Sequence, residues 1–184
     1  MKSKLAAASI ATLMTLNAHA EAPKDVQGYV GANYVFLTYE EDGISEDFDL
    51  GALVAKAGAK FNPYLSAEFR AGLGVDDHSE SGGGFTAELE LDYLVGGYAI
   101  AGIPNETPIY PYAVLGVTKG KLTASVSGFG ESASVSESES DISFGIGANF
   151  AVNDEVNLNA EYMNYLDKDG AEITGVSVGL VVLF

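Results

Sequence analysis

Cysteine and tryptophan are absent from the 184 residues, and basic side chains are few. Without cysteine, the chain forms no disulfides and offers no thiolate to a metal ion. Nine Lys and Arg against 26 Asp and Glu give a formal net charge of −17. This balance excludes the basic face that nucleic-acid binding requires, so we expect no nucleic-acid partner. Beyond residue 20 no apolar run reaches about 18 residues, so no transmembrane helix is predicted.

The first twenty residues have the organisation of a secretory signal peptide. Lys2 and Lys4 form a basic start, an apolar run follows, and Ala18-His19-Ala20 places small residues where a signal peptidase cleaves. We therefore expect residues 1–20 to be a signal peptide cleaved after Ala20, and residues 21–184 to form one domain. Loss of the two lysines would leave seven basic and 26 acidic side chains, a formal charge of −19.

Apolar and polar residues alternate through most of the remaining chain, which predicts β-strands. We predict eight of them, at about 27–37, 50–61, 65–75, 85–100, 109–122, 141–150, 156–162 and 176–184. A tilted strand needs about 9–11 residues to cross a membrane. In the fourth segment we place Leu91 on the same face as Tyr93 and Val95. In the fifth, the alternation is blurred around Tyr110 and Tyr112, which leaves its phase open.

The connections between these strands alternate in length. Three are short and turn-like, namely Asn62-Pro63-Tyr64, Ile103–Pro108 and Asn153-Asp154-Glu155. Four are longer and polar, namely Thr38–Asp47, Asp76–Gly84, Thr123–Ser140 and Asp167–Ala171. Short turns on one rim and long loops on the other are typical of transmembrane β-barrels, whose long loops lie outside the cell. The pattern predicts an all-β protein, an eight-stranded antiparallel up-and-down transmembrane barrel.

Four charged residues, Lys56, Glu68, Arg70 and Glu161, fall in mid-strand and indicate which face points inward. A soluble lipocalin-like barrel has the same alternation with the opposite orientation. However, the polar faces here are rich in glycine and hold few charges, and aromatic residues collect near strand ends, as in membrane barrels. A basic residue facing lipid near the midplane would cost about 2–4 kcal/mol. We therefore predict that these four side chains form a lumen charge cluster, an ionic plug rather than a transport path.

Several segments resemble the OmpA/OmpX-type family of small, porin-like outer-membrane β-barrel domains. They are Gly28-Tyr29-Val30-Gly31-Ala32, Ala57–Arg70, Pro111-Tyr112-Ala113 with Leu115-Gly116-Val117, and the terminal strand. The resemblance implies eight strands, the bacterial cell outer membrane and no cofactor. It does not imply one activity, since members act as structural barrels, adhesins, resistance factors or lipid-modifying enzymes. The terminal ladder ending in Phe184 resembles the signal by which the barrel-assembly machinery recognises its substrates.

Two features could support chemistry, and both have simpler explanations. His78, Ser79 and Glu80 are of the types found in hydrolytic triads, but adjacency does not set triad geometry, and a flexible glycine run follows. The acidic clusters Glu40-Glu41-Asp42, Glu46-Asp47-Asp49 and Asp76-Asp77 have oxygen ligands but no known calcium-loop spacing. We expect solvated loops, no metal and no catalytic residue.

The sequence thus favours a non-enzymatic outer-membrane barrel with a structural or surface-interaction role through four extracellular loops. The alternative is a narrow, porin-like channel, and a lipid-A-modifying hydrolase is the third hypothesis. We expect a monomer whose partners are outer-membrane lipid, lipopolysaccharide and the barrel-assembly machinery. The extracellular ligand is not specified by any motif.

Overall fold

The structure is a computed structural model that describes residues 26–41, 48–129, 131–168 and 170–184. The predicted signal peptide and Ala20 lie outside this part of the chain. The strands are β1 (Gln27–Glu41), β2 (Phe48–Asn62), β3 (Leu65–Asp76), β4 (His78–Gly82), β5 (Phe85–Gly102), β6 (Ile109–Gly128), β7 (Glu131–Ala151), β8 (Val156–Lys168) and β9 (Ala171–Leu183). Within the described residues, no helix is long and apolar enough to cross a membrane.

Every strand pairs antiparallel with its neighbours, and the sheet closes on itself. Strands that follow one another in the chain are paired, except β3 and β4. In addition, β1 pairs with β9 and β3 pairs with β5. The short strand β4 resumes after β3 ends at Asp76 and pairs with the upper part of β5. Since β3 and β4 occupy one position around the barrel, the nine strands form the predicted closed eight-stranded barrel.

The two rims of the barrel differ as the sequence predicts. The rim with short connections, called the turn rim, has turns after β2, β5 and β7. Asn62 Oδ1 accepts hydrogen bonds from the backbone N–H of Tyr64 and Leu65, and Asn153 Oδ1 accepts them from Glu155 and Val156. These Asx turns explain why asparagine begins two of the three connections. The opposite end is called the hairpin rim.

Two of the four predicted long loops are largely strand, and this is a correction. The segment 123–140 was predicted as a loop, but β6 and β7 extend to 20 and 21 residues and pair as far as Gly128 and Glu131. The segment 76–84 likewise contains β4, which turns into β5 through Gly83 and Gly84, with φ of 62° and 88°. Two consecutive positive φ values suit a tight hairpin turn that only glycine adopts at no steric cost. Polar Ser and Glu alternate in β7 as regularly as apolar residues do elsewhere, so composition obscured the strand.

Three bulges displace the side-chain phase near the hairpin rim. The extra residues are Val75 in β3, opposite Gly51 and Ala52, Asp92 in β5 and Tyr165 in β8. One extra residue moves all subsequent side chains to the other face. The prediction that Leu91 shares a face with Tyr93 and Val95 is therefore wrong: Leu91 is buried inside the barrel.

On the turn-rim side of the bulge, alternate residues of β5 are buried. The residues of β6 alternate in the same way, which answers the question that the sequence left open for this strand. Leu94, Tyr98 and Ile100 of β5 are buried, at 4–5% exposure. In β6 Tyr112, Val114 and Thr118 point inward, whereas Leu115 and Val117 are exposed on the outside.

The outer surface between the turn rim and the bulges is an apolar band. Phe36, Leu73 and Ile146 are 57%, 61% and 66% exposed, and they belong to strands β1, β3 and β7. A contiguous apolar surface of this kind marks contact with a nonaqueous phase. The spanning part of each strand is therefore the part below the bulges, for example Leu94–Gly102 in β5.

Candidate functional site

The interior near the turn rim holds an ionic cluster that contains all four predicted lumen charges. Arg70 Nη1 and Nη2 donate to Glu161 Oε2 and Oε1 at 2.8 and 3.0 Å, and Arg70 Nε donates to Glu68. Lys56 Nζ lies 2.9 Å from Glu161 Oε2. The four side chains come from β2, β3 and β8, and each residue is at most 9% exposed. Two cations and two anions give this group no formal net charge.

Neutral groups complete the hydrogen bonding of the cluster. Tyr29 Oη donates to Glu68 Oε2 at 2.9 Å, and Tyr112 Oη donates to Glu161 Oε1 at 2.6 Å. Asn159 Oδ1 accepts from Lys56 Nζ at 3.0 Å, while its Nδ2 donates to Tyr112 Oη at 2.6 Å. A buried ion pair is stable only when such additional bonds satisfy its remaining donors and acceptors. The sequence indicated the charges but not these partners, which come from other positions around the barrel or along its strands.

Above the ionic cluster lies a layer that excludes water. Its residues Val35, Val54 and Met163, and Arg70 of the cluster, are each at most 1% exposed. Leu37, Leu50, Ala52, Leu91 and Leu94 continue the layer toward the hairpin rim. The Arg70 guanidinium carbon lies 4.5 Å from the centre of the Tyr98 ring, which covers one face of the cluster. The lumen therefore has a polar half near the turn rim and an apolar half above it.

A cavity of about 470 Å³ opens above this layer, at the hairpin rim. We call it the vestibule. It lies between two parts of the sheet, because β7 pairs with β8 only from Phe144 onward and β4 has no direct pairing with β2. Its large aliphatic lining residues are Leu89, Leu122, Val126, Val135, Leu166 and Ile173. The sequence interpretation missed it because Val126 and Val135 fall in a segment predicted as a loop, and Leu166 and Ile173 fall outside the predicted strands.

One side of the vestibule is aromatic and its margin is acidic. The rings of Tyr39 and Phe48 are 6.1 Å apart, and the ring of His78 meets that of Phe48 edge-on at 5.2 Å. Tyr39 Oη donates to Glu41 Oε2 at 3.0 Å. Burial, together with the negative charge of Glu41, raises the pKa of Tyr39 to about 12, so its hydroxyl remains a donor at neutral pH. Four carboxylates take part in the lining, those of Glu41, Glu88, Glu137 and Glu139.

Within the part of the chain that the structure describes, the residues considered for catalysis and metal binding do not form a site of that kind. His78 and Ser79 are neighbours in strand β4, so their side chains point to opposite faces and cannot act as base and nucleophile for one another. Among the described residues, no group of three or more His, Asp or Glu side chains is arranged to hold a metal ion. Asp42, Glu46 and Asp47 lie outside the described residues.

Phe184 lies at the turn rim, next to the start of the first strand. Its backbone N–H donates to the carbonyl oxygen of Gly28 at 2.9 Å, and the residue is 77% exposed. The ring is therefore on the outside of the barrel, where another protein can reach it. Its role as an assembly signal stays a prediction.

Comparison with known proteins agrees with this geometry. Residues 5–184 match the family of outer membrane protein beta-barrel domains. The chain belongs to this family. No curated protein matches the sequence significantly. The fold is similar to that of Ail, the attachment invasion locus protein of Yersinia pestis, with a TM-score of 0.66 and 20% identity over 87% of this chain and 99% of that one.

Two further solved structures have the same fold. Neisserial surface protein A has a TM-score of 0.59 and 22% identity, over 85% of this chain and 97% of its own. A major outer membrane protein from Thermus thermophilus has a TM-score of 0.60 and 13% identity, over 86% of this chain and 99% of its own. At these identities, the similarity establishes the fold and leaves function to the residues of this chain. The apolar band is accordingly the surface that this outer-membrane barrel presents to lipid.

Proposed function

We propose that this protein is a closed, non-enzymatic outer-membrane barrel that carries an interaction surface on its hairpin rim, outside the cell. The observation that supports this most directly is the β6–β7 hairpin. Residues 131–143 of β7 pair with β6 and have no backbone pairing with β8. The lower part of this range still bonds to the end of β8, through Asp141 to Asp167 and through Glu139 to Lys168, so residues 131–138 are the part of the hairpin that stands above the closed wall. Together with β4 and β5 it forms a projecting sheet, the hairpin sheet.

The hairpin sheet offers both apolar and polar groups to a partner. At its tip, the rings of Phe85 and Phe129 meet edge-on with centroids 5.1 Å apart, at 50% and 84% exposure. Clustered aromatic side chains are common anchors in protein interfaces. Below them, β7 presents Glu131, Glu137 and Glu139 among serines. The partner should therefore be a protein surface with an apolar centre and basic surroundings.

The acidic charge argues against a polyanionic partner. Ail has been solved in complex with the heparin analogue sucrose octasulfate. A sulfated ligand needs basic side chains, whereas this chain has a net charge of −17. We propose that the likeness to Ail does not extend to such ligands.

The channel hypothesis is disfavoured by the water-excluding layer. Any ion path must pass Val54, Arg70 and Met163, none of which is more than 1% exposed. In eight-stranded barrels the interior is normally filled by side chains. We propose that the ionic cluster is a structural plug. The opposite faces of His78 and Ser79 likewise disfavour the hydrolase hypothesis.

The test of the interaction role is a register-preserving truncation. Lys121 pairs with Ser138, so replacing residues 122–137 by Asn-Gly leaves a two-residue hairpin turn on an intact barrel. We expect cells that display this variant to lose binding to protein-coated surfaces that bind cells with the unaltered protein. The amount of folded barrel, measured by heat-dependent gel mobility, should not change. Equal binding by both would overturn the proposal.

A conductance measurement tests the plug. Purified protein in a planar bilayer should give no stepwise current, and Gly120→Leu, which fills the vestibule, should change nothing. Reproducible current steps from the unaltered barrel would support the channel instead.

A further inference from the structure

We propose that the vestibule binds a small organic cation, an ammonium group carried on an aromatic or alkyl body. This goes beyond the interaction role of the hairpin sheet, which concerns a protein partner. The vestibule volume of about 470 Å³ lies within the roughly 300–1,000 Å³ of ligand pockets in proteins. Its floor is the apolar layer, and its opening faces the hairpin rim.

The body of such a ligand would be held by apolar contact. Leu122 and Val135 face the cavity from β6 and β7, and Leu166 and Ile173 face it from β8 and β9. These strands belong to the two parts of the sheet that separate above the bulges. An apolar ligand between them would replace water on both sides, which is favourable by about 25 cal/mol for each Å² removed from water.

The head of the ligand is selected by aromatic rings and carboxylates together. Tyr39 and Phe48 are adjacent, and the faces of Tyr and Phe rings attract cations within about 6 Å. Glu41 and Glu137 act on the same side, since both raise the pKa of Tyr39. Among the described residues, Glu139 is the one vestibule carboxylate with a salt bridge, to Lys168 at 2.7 Å. An ammonium group is stabilised here, and a carboxylate or sulfate group is repelled.

The probes are three molecules that carry different heads on the same phenylpropyl body: 3-phenylpropyl-trimethylammonium, 3-phenylpropanol and 4-phenylbutanoate. They should be titrated into full-length mature protein in lipid nanodiscs, with methyl NMR signals of Leu122, Val135 and Ile173 as the readout. We expect saturable shifts for the ammonium probe, binding at least about tenfold weaker for the alcohol, and none for the carboxylate. Higher salt should weaken binding of the ammonium probe and should not change binding of the alcohol.

A pair of glycine variants tests the location. A Cβ on Gly120, which lines the vestibule, would meet only the carbonyl oxygen of Tyr93, at 3.9 Å, so a larger side chain can begin there without a clash and occupy the cavity. Gly97 faces the outside with no atom within 4 Å of such a Cβ. Gly120→Leu should abolish binding and Gly97→Leu should not.

A pair of charge variants tests whether the carboxylates select the head of the probe. Glu137→Gln should weaken binding of the ammonium probe several-fold without changing binding of the alcohol, and Glu131→Gln should change neither.

Each alternative result overturns the proposal. Equal binding of the ammonium and carboxylate probes would show that the acidic margin does not select. Unsaturable shifts, or shifts that persist in Gly120→Leu, would show partition of the probe into lipid or binding elsewhere. The interaction role is tested with whole cells on protein-coated surfaces, and the vestibule is tested with probes on purified protein. A negative result in one experiment therefore does not bear on the other proposal.

Discussion

Arg70 and Glu161, 91 residues apart in sequence, meet inside the barrel through two parallel hydrogen bonds of 2.8 and 3.0 Å. Arg70 lies on β3 and Glu161 on β8, so the pair spans the lumen rather than joining neighbouring strands. It can form only after the sheet has closed. The pair therefore links the stability of the interior to the closure of the barrel.

Removing Arg70 should be strongly destabilising. In Arg70→Met the carboxylates of Glu68 and Glu161 remain buried with one fewer cation, and breaking a buried pair in this way costs about 3–5 kcal/mol. The double variant Arg70→Met/Glu161→Met keeps one cation and one anion, so its loss should be smaller than the sum of the two single losses. Urea unfolding in lipid vesicles measures all three. A loss below about 1 kcal/mol in the single variant would contradict the interpretation.

The lipid-facing band should reject a charge that the hairpin sheet tolerates. Ile146 and Val135 lie on the same strand with nearly equal exposure, 66% and 65%, but on opposite sides of the bulges. Ile146→Lys should lower the free energy of unfolding by about 2–4 kcal/mol, because lysine near the midplane of the membrane loses its hydration. Val135→Lys should cost less than about 0.5 kcal/mol because Val135, although it lines the open vestibule, is largely exposed and a lysine there keeps its ammonium group in water. Equal losses would place the membrane boundary elsewhere.

Glycine positions inside the barrel should differ from those outside. A Cβ on Gly116 would collide with the carbonyl oxygen of Gly97 and the ring of Tyr98, whereas a Cβ on Gly97 would meet nothing within 4 Å. Gly116→Ala should therefore cost about 1–3 kcal/mol, the usual effect of overpacking, and Gly97→Ala should not destabilise. The two unfolding curves, recorded under the same conditions, test this. Equal free energies of unfolding for the two variants would show that the barrel accommodates the added methyl group at Gly116 without cost.

Phe184 should affect assembly in cells more than stability. Phe184→Ala should reduce the folded barrel in the outer membrane several-fold, if the terminal ladder is what the assembly machinery recognises. Phe150→Ala is the matched control, since Phe150 is an outward-facing aromatic residue on a strand that ends at the same rim. Both variants should refold equally well into vesicles without the machinery. A refolding defect confined to Phe184→Ala would point to a structural role instead.

Asp92 and Lys121 form a pair above the spanning part of the barrel that an NMR titration can follow. Lys121 Nζ lies 2.9 Å from Asp92 Oδ2, and this ammonium group and the hydroxyl of Thr123 lower the pKa of Asp92. The contribution of the pair to stability is present above about pH 3.9, the unfolded pKa, and is lost as the pH falls through the lower folded value. Lys121→Ala should raise the pKa of Asp92 toward its usual value. An unchanged pKa would contradict the pairing.

Much of the barrel could be predicted from sequence because a membrane imposes a strict physical rule. A mid-strand Arg70 or Lys56 cannot face lipid cheaply, so each charge indicates the inward face of its strand. The short turns followed from the asparagine and proline residues that form them. The partners of the charges could not be predicted, since Tyr112 and Asn159 become neighbours only through the register of the closed sheet.

The incorrect predictions fall where strand pairing, rather than the apolar or polar character of the residues, decides the structure. The bulge at Asp92 inserts a single residue, and no residue type announces it, yet it turns Leu91 inward. The serine-rich part of β7 lacks apolar residues, so its alternation resembled a solvated loop, although pairing with β6 continues to Glu131. The vestibule was invisible for the same reason, because it is built from segments that were assigned to loops or to strand ends.

The length of the β6–β7 hairpin also sets how far this protein reaches from the cell. Residues 131–143 rise above the last pairing with β8, and at about 3.3 Å per residue they span up to about 40 Å along the strand. The headgroup layer of a bilayer is only about 5–8 Å thick on each side. Phe129, at the tip, is therefore presented well clear of the membrane surface. Large particles could touch it without approaching the lipid, whereas the vestibule below admits only what can diffuse between the strands.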